Sequence, residues 1–186
     1  HASEVIYALD LLEKGESDTL SMDIAASICS QIPEVRQDAI KRAERLKLSV
    51  LLPVIQTQLK SEDDPKVRET ASCALIVLGA DSNTALNLLA QEDVATKRGA
   101  MIGSLRSSAE NKKTKAYERL ELLARSDSNK ERVEASELIA ESTNPALWEV
   151  LLPLLNDEDL NVRKSALRSA TKICRAELYP SIIPAL

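Results

Sequence analysis

The 186 residues predict an all-α chain of stacked helical hairpins, on three observations. An arginine recurs in similar surroundings at steps of 32, 30, 34 and 31 residues: Pro33-Glu-Val-Arg36-Gln-Asp-Ala, Pro65-Lys-Val-Arg68-Glu-Thr-Ala, Ala95-Thr-Lys-Arg98-Gly-Ala, Asn129-Lys-Glu-Arg132-Val-Glu-Ala and Leu160-Asn-Val-Arg163-Lys-Ser-Ala. Self-similarity at this period marks repeated supersecondary units. From Arg68 onward each arginine follows an apolar run with helical spacing: Leu51, Leu52, Ile55 and Leu59; Leu86, Leu88 and Leu89; Leu120, Leu122 and Leu123; Leu147, Leu151, Leu154 and Leu155. Capping and turn residues separate run from arginine in Ser61-Glu-Asp-Asp-Pro65, Ser126-Asp-Ser-Asn129 and Asn156-Asp-Glu-Asp159. One unit is therefore helix, short turn, helix.

The elements follow in order. First helices are expected near 18–30, 49–60, 83–90, 114–125 and 145–156, and second helices near 34–46, 65–79, 94–108, 129–142 and 160–175. Residues 3–14 read as the second helix of an earlier unit and 178–186 as the first helix of a later one, giving about five full units with a half unit at each end.

Leu151-Leu-Pro-Leu-Leu-Asn-Asp-Glu-Asp-Leu-Asn-Val-Arg163-Lys-Ser-Ala166 resembles the HEAT repeat, and the resemblance extends over nearly the whole chain. It implies a right-handed α-α superhelix of the HEAT or armadillo kind, a single domain over 1–186. It is strongest around Arg68 and Arg163 and weakest around Arg98, where Lys97 stands in place of the usual Val. Half units at both ends, with Ile182 and Ile183 followed by no polar cap, are expected of a fragment of a longer protein. The segment Ser3-Glu-Val-Ile-Tyr-Ala-Leu-Asp-Leu-Leu-Glu13, followed by such repeats, is similar to soluble HEAT modules of some bacterial nucleotide-transporter-like membrane proteins.

Composition narrows the function. Lys and Arg total 24 against 29 Asp and Glu, so the chain carries −5 and is not the basic body typical of nucleic-acid binders. With one His, at position 1, no Phe, and 2% aromatics, it lacks the usual material for acid–base catalysis and base stacking. No phosphate-loop or dinucleotide fingerprint occurs. Cys29, Cys73 and Cys174 are too dispersed for a metal site or disulfide framework and read as reduced thiols. The longest stretch without Asp, Glu, Lys or Arg, Leu48–Leu59, is too short to span a bilayer. A non-catalytic, cytoplasmic, monomeric chain without cofactor or metal is expected.

Asp63, Asp93 and Asp127 stand five residues before a repeat arginine and Asp157 six before. Such an array could hold a divalent cation, but Asn156-Asp-Glu-Asp-Leu-Asn161 lacks the glycine and final glutamate of an EF-hand loop. A structural ladder, implied by the HEAT resemblance, pairs these acids with Arg36, Arg68, Arg98, Arg132 and Arg163. Gly99 and Gly103 have GxxxG spacing, which fits either close packing of a neighbouring helix or close approach of a ligand. Trp148, the single Trp, fits a partner anchor or a cover over the seam between units.

Over 160–175, Val162, Ala166, Ala170 and Ile173 form an apolar stripe, and Lys164, Arg168, Lys172 and Arg175 recur at the same spacing on the opposite side. A single-sign stripe without acidic i,i+4 partners is unusual for a merely solvated face. In HEAT arrays the second helices line the concave surface. Counting from each arginine places Cys73, Val77, Gly99 and Gly103 on the same surface as a shallow, uncharged trough. The expected function is a protein-interaction scaffold that takes a peptide or helix, with an acidic segment against the 164–175 stripe. The alternatives are nucleic-acid binding, opposed by Glu134, Glu137 and Glu141, and a regulatory module of a transporter-like membrane protein.

Overall fold

Proline and aspartate set where many of the helices begin. A computed structural model describes residues 1–107 and 109–173, and among them there are eleven α-helices and no strand. They are α1 (Ala2–Lys14), α2 (Leu20–Ile28), α3 (Pro33–Arg45), α4 (Leu52–Lys60), α5 (Pro65–Val77), α6 (Ser82–Leu89), α7 (Val94–Arg106), α8 (Glu110–Ala124), α9 (Asn129–Ser142), α10 (Trp148–Leu155) and α11 (Leu160–Ile173). Pro33 and Pro65 occupy the first helical position, where a missing N–H costs nothing. Asp64, Asp81 and Asp159 accept backbone N–H groups of the first turns of α5, α6 and α11. Short 3-10 turns at Ser49–Leu51 and Pro145–Leu147 lead into α4 and α10. The expected helix at 178–186, and Arg175 and Cys174, lie outside the described residues.

The chain divides into two compact units, His1–Ser104 and Leu105–Leu186. In the first, α2 pairs with α3 and α4 with α5, and α3 packs broadly along α5. Ile24, Ile28, Ala39, Ile40, Ala43, Ile55, Ala71 and Leu75 form its main core. Ile76, Ala85 and Ala100 tie α5, α6 and α7 together. In the second unit α8 pairs with α9 and α10 with α11, and α9 lies along α11. Each buried Ile or Leu contributes roughly 1.5–3 kcal/mol of transfer free energy, which exceeds what helix propensity alone supplies. In both units the second helices of successive hairpins touch each other more extensively than the first helices do.

The turns leaving α1, α3 and α5 share one device. Ser17, Leu48 and Ala80 each donate a backbone N–H to a carbonyl five residues back, and the residue before each has positive φ: Glu16 at 49°, Lys47 at 56° and Gly79 at 106°. This is the Schellman arrangement, which only Gly79 adopts without side-chain crowding.

Candidate functional site

Three repeat arginines grip in two directions. Arg132 donates from Nη1 to the carbonyls of Ser126 and Asp127, in the turn before its own helix, at 2.8 and 3.1 Å. Its Nε and Nη2 reach Asp157, in the next hairpin's turn, at 2.7 and 3.0 Å. Arg68 does the same, to Glu62 and Asp63 carbonyls and to Asp93 at 3.1 and 3.2 Å. Arg36 donates to the Ser30 carbonyl and grips Glu62 with Nε and Nη2. Arg163 keeps the carbonyl half, on Asp157 and Glu158. Arg98 places its Nε 3.4 Å from the carboxylate of Glu69 on α5, the preceding second helix.

The structure corrects two of the expected ladder acids. Asp63 and Asp127 have exposed side chains and give the ladder their backbone carbonyls. The carboxylate bound to Arg36 belongs to Glu62, whose side chain is wholly buried. Burial raises the Glu62 pKa, but hydrogen bonds from Arg36, from Gln58 and from the Asp64 N–H outweigh it and bring it down to about 2. Asp93 is held low chiefly by its hydrogen bonding to Thr96, and Asp157 by Arg132.

Lys164, Arg168 and Lys172 are exposed along α11, opposite the buried Val162, Ala166, Ala170 and Ile173. None of the three forms an ion pair among the described residues. Ser169, on the packed side, donates to the Ser136 carbonyl at 2.7 Å and ties α11 to α9.

At Cys73, Gly99 and Gly103 the expected open trough is filled. Cys73 is buried, and α7 lies so close to α5 that a Cβ on Gly99 would overlap the Glu69 carbonyl. A Cβ on Gly103 would lie 2.7 Å from the Cys73 carbonyl oxygen. The glycines are there for helix packing, the first of the two readings their spacing allowed, and Val77 is half-buried beside them. Trp148 is buried as well.

Sequence reasoning missed one charged cluster. Arg42 on α3 is 5% exposed and donates to Asp38 on its own helix and to Asp10 and Glu13 on α1, while Arg45 takes the other side of Glu13. Burial lowers the Arg42 pKa, but the hydrogen bonds it donates to Asp38 and Asp10 outweigh that and raise it, so the guanidinium stays charged. The available signal was Asp38 four residues before Arg42; the α1 acids are some 30 residues away in sequence and carried none.

Among the described residues no three His, Cys, Asp or Glu side chains converge as a metal-ligand set, and no helix is long and apolar enough to cross a membrane. No protein-family model matches this chain, and comparison with curated proteins found no match.

Proposed function

We propose that the chain is a HEAT-type repeat array acting as a non-catalytic interaction scaffold, with the Lys164–Arg168–Lys172 face of α11 binding an acidic peptide or helix of a protein partner. The paired helices, the second helices packed along one another and the recurring two-way arginine support the repeat reading. The binding reading is carried by one observation: three cations at i, i+4 and i+8 on an exposed helix face, none compensated by a neighbouring carboxylate among the described residues. Carboxylates four residues apart on a partner helix match that pitch. The scarcity of aromatic side chains, 2% of the chain, disfavours a single-stranded nucleic acid that would stack its bases.

The test uses a fluorescent helical peptide with glutamates at i, i+4 and i+8, titrated across a salt series. Wild type should bind with a steep salt dependence. Lys164→Glu, Arg168→Glu and Lys172→Glu together should abolish binding without altering the circular dichroism spectrum. Equal affinity and salt slope for the triple variant would remove the stripe from the function. Tighter binding of a DNA duplex than of the peptide, lost on the same substitutions, would transfer the site to nucleic acid.

A further inference from the structure

Tyr7 and Leu11 on α1 are 62% and 51% exposed, and Lys14, one turn on, is exposed and forms no ion pair among the described residues. Four residues apart, the two apolar side chains share one helix face. The rest of the first unit shows what this row does when it is covered. Aligned on the shared turns at Glu16, Lys47 and Gly79, the row matches Asp38, Arg42 and Arg45 of α3 and Thr70, Ala74 and Val77 of α5. On α3 it receives α1: Arg42 donates to Asp10 at 2.6 Å and to Glu13 at 3.0 Å, and Arg45 donates to Glu13 at 2.9 Å. On α5 it receives α3: Thr70 accepts from Gln37 at 3.2 Å, and Ala74 is wholly buried. The incoming helix uses the row that matches Ile6, Asp10 and Glu13, at i, i+4 and i+7. Asp10 meets Arg42 and Glu13 meets Arg45, so the two helices run in the same direction.

The same seat on α1 is open, and its chemistry selects an occupant. Tyr7 and Leu11 stand where α3 carries Asp38 and Arg42, so this seat is apolar where the internal one is charged, while Lys14 keeps the cation of Arg45. A helix entering as α1 enters on α3 sets its i and i+4 residues against Tyr7 and Leu11 and its i+7 residue against Lys14. We infer that this face of α1 docks an amphipathic helix of a protein partner, with aliphatic residues at i and i+4 and a carboxylate at i+7. End-to-end stacking of a second copy does not supply it. Counting from the repeat arginines, the matching row on α11 is Lys164, Arg168 and Thr171, which brings two cations and no acid to Lys14. The site rests on helix packing within the first unit and not on the α11 face, so either can fail alone.

The experiment titrates the whole chain, followed by amide chemical shifts, with a capped, alanine-rich helical peptide of about 20 residues that carries Leu, Leu and Glu at i, i+4 and i+7. Saturable shifts are expected along α1, with a dissociation constant of about 0.1 mM, because one helix face buries less area than a standard interface. Tyr7→Ala with Leu11→Ala should weaken binding roughly tenfold or more. Lys14→Glu should weaken it too, and should prefer the peptide with Lys in place of Glu. All three positions are exposed, so the thermal midpoint should stay in place. Lys164→Glu, Arg168→Glu and Lys172→Glu together should leave this binding intact. The proposal is overturned if the peptide gives no saturable shift on α1, if the double alanine variant binds equally well, or if Lys14→Glu does not reverse the preference. It is also overturned if the same α1 shifts appear on raising the protein concentration alone, which would make a second copy the occupant.

Discussion

Glu62 follows Arg36 by 26 residues, yet its buried carboxylate receives both Nε and Nη2 of that guanidinium. Removing the charge leaves Arg36 facing a neutral amide in a site closed to water. Glu62→Gln should lower stability by about 3 kcal/mol, the range for breaking one side of a buried pair. Asp63→Asn, one residue away and exposed, should leave the urea midpoint unmoved. Equal effects of the two substitutions would contradict the assignment of Glu62 as the paired acid.

The same carboxylate makes stability depend on acid. Its folded pKa, about 2, lies below the ordinary value of 4.5 that the unfolded chain restores. The unfolded state therefore binds the proton first as pH falls, and the contribution, full above about pH 5, is lost on the way down to about pH 2. Urea midpoints measured across that window should fall steeply for wild type and less steeply for Glu62→Gln. Asp93 and Asp157, also held low, add to the slope in both.

Gly99 and Gly103 allow α7 to lie against the α5 backbone. Alanine has a higher helix propensity than glycine by about 1 kcal/mol, but the added Cβ has no room at either position. Gly99→Ala should destabilise by about 3 kcal/mol and Gly103→Ala by less, because only the first overlaps a carbonyl oxygen outright. Thermal unfolding of the two variants gives the order; a stabilised Gly99→Ala would show that the helices do not approach this closely.

Lys47 and Gly79 hold the same place in equivalent turns, and only one of them suits it. Lys47→Gly should stabilise by about 1 kcal/mol by relieving left-handed crowding, and Gly79→Ala should cost a similar amount although nothing lies within 4 Å of its missing Cβ. Chemical denaturation distinguishes this backbone effect from packing.

The helices were legible because their signals are local. Pro33 and Pro65 open α3 and α5, Asp64 and Asp159 cap α5 and α11, and the apolar spacing marks buried faces such as that of Val162, Ala166 and Ala170. The start of α8 was read four residues late, since Glu110–Lys113 carries first-turn charge but little of the apolar period. The choice between Glu62 and Asp63 was not legible: adjacent acids differ only in which way the turn points them, and that is fixed by the carbonyls Arg68 captures. The trough failed for a related reason. Counting from each arginine gives a residue's angular position on its helix but not the distance to the next helix, and small residues at Gly99 and Gly103 shorten that distance until the surface closes.

The two-way arginine also acts as a gauge on chain length. From Arg36 to Glu62, Arg68 to Asp93 and Arg132 to Asp157 the separation is 26, 25 and 25 residues, while the guanidinium simultaneously holds carbonyls five or six residues upstream. A residue inserted in the turn just before a repeat arginine would pull the captured carbonyls out of register. The turns around Glu16 and Lys47 have exposed tips and, among the described residues, none of these grips. They are where added sequence, a tag, a protease site or a grafted loop, can be placed without disturbing the hairpins on either side.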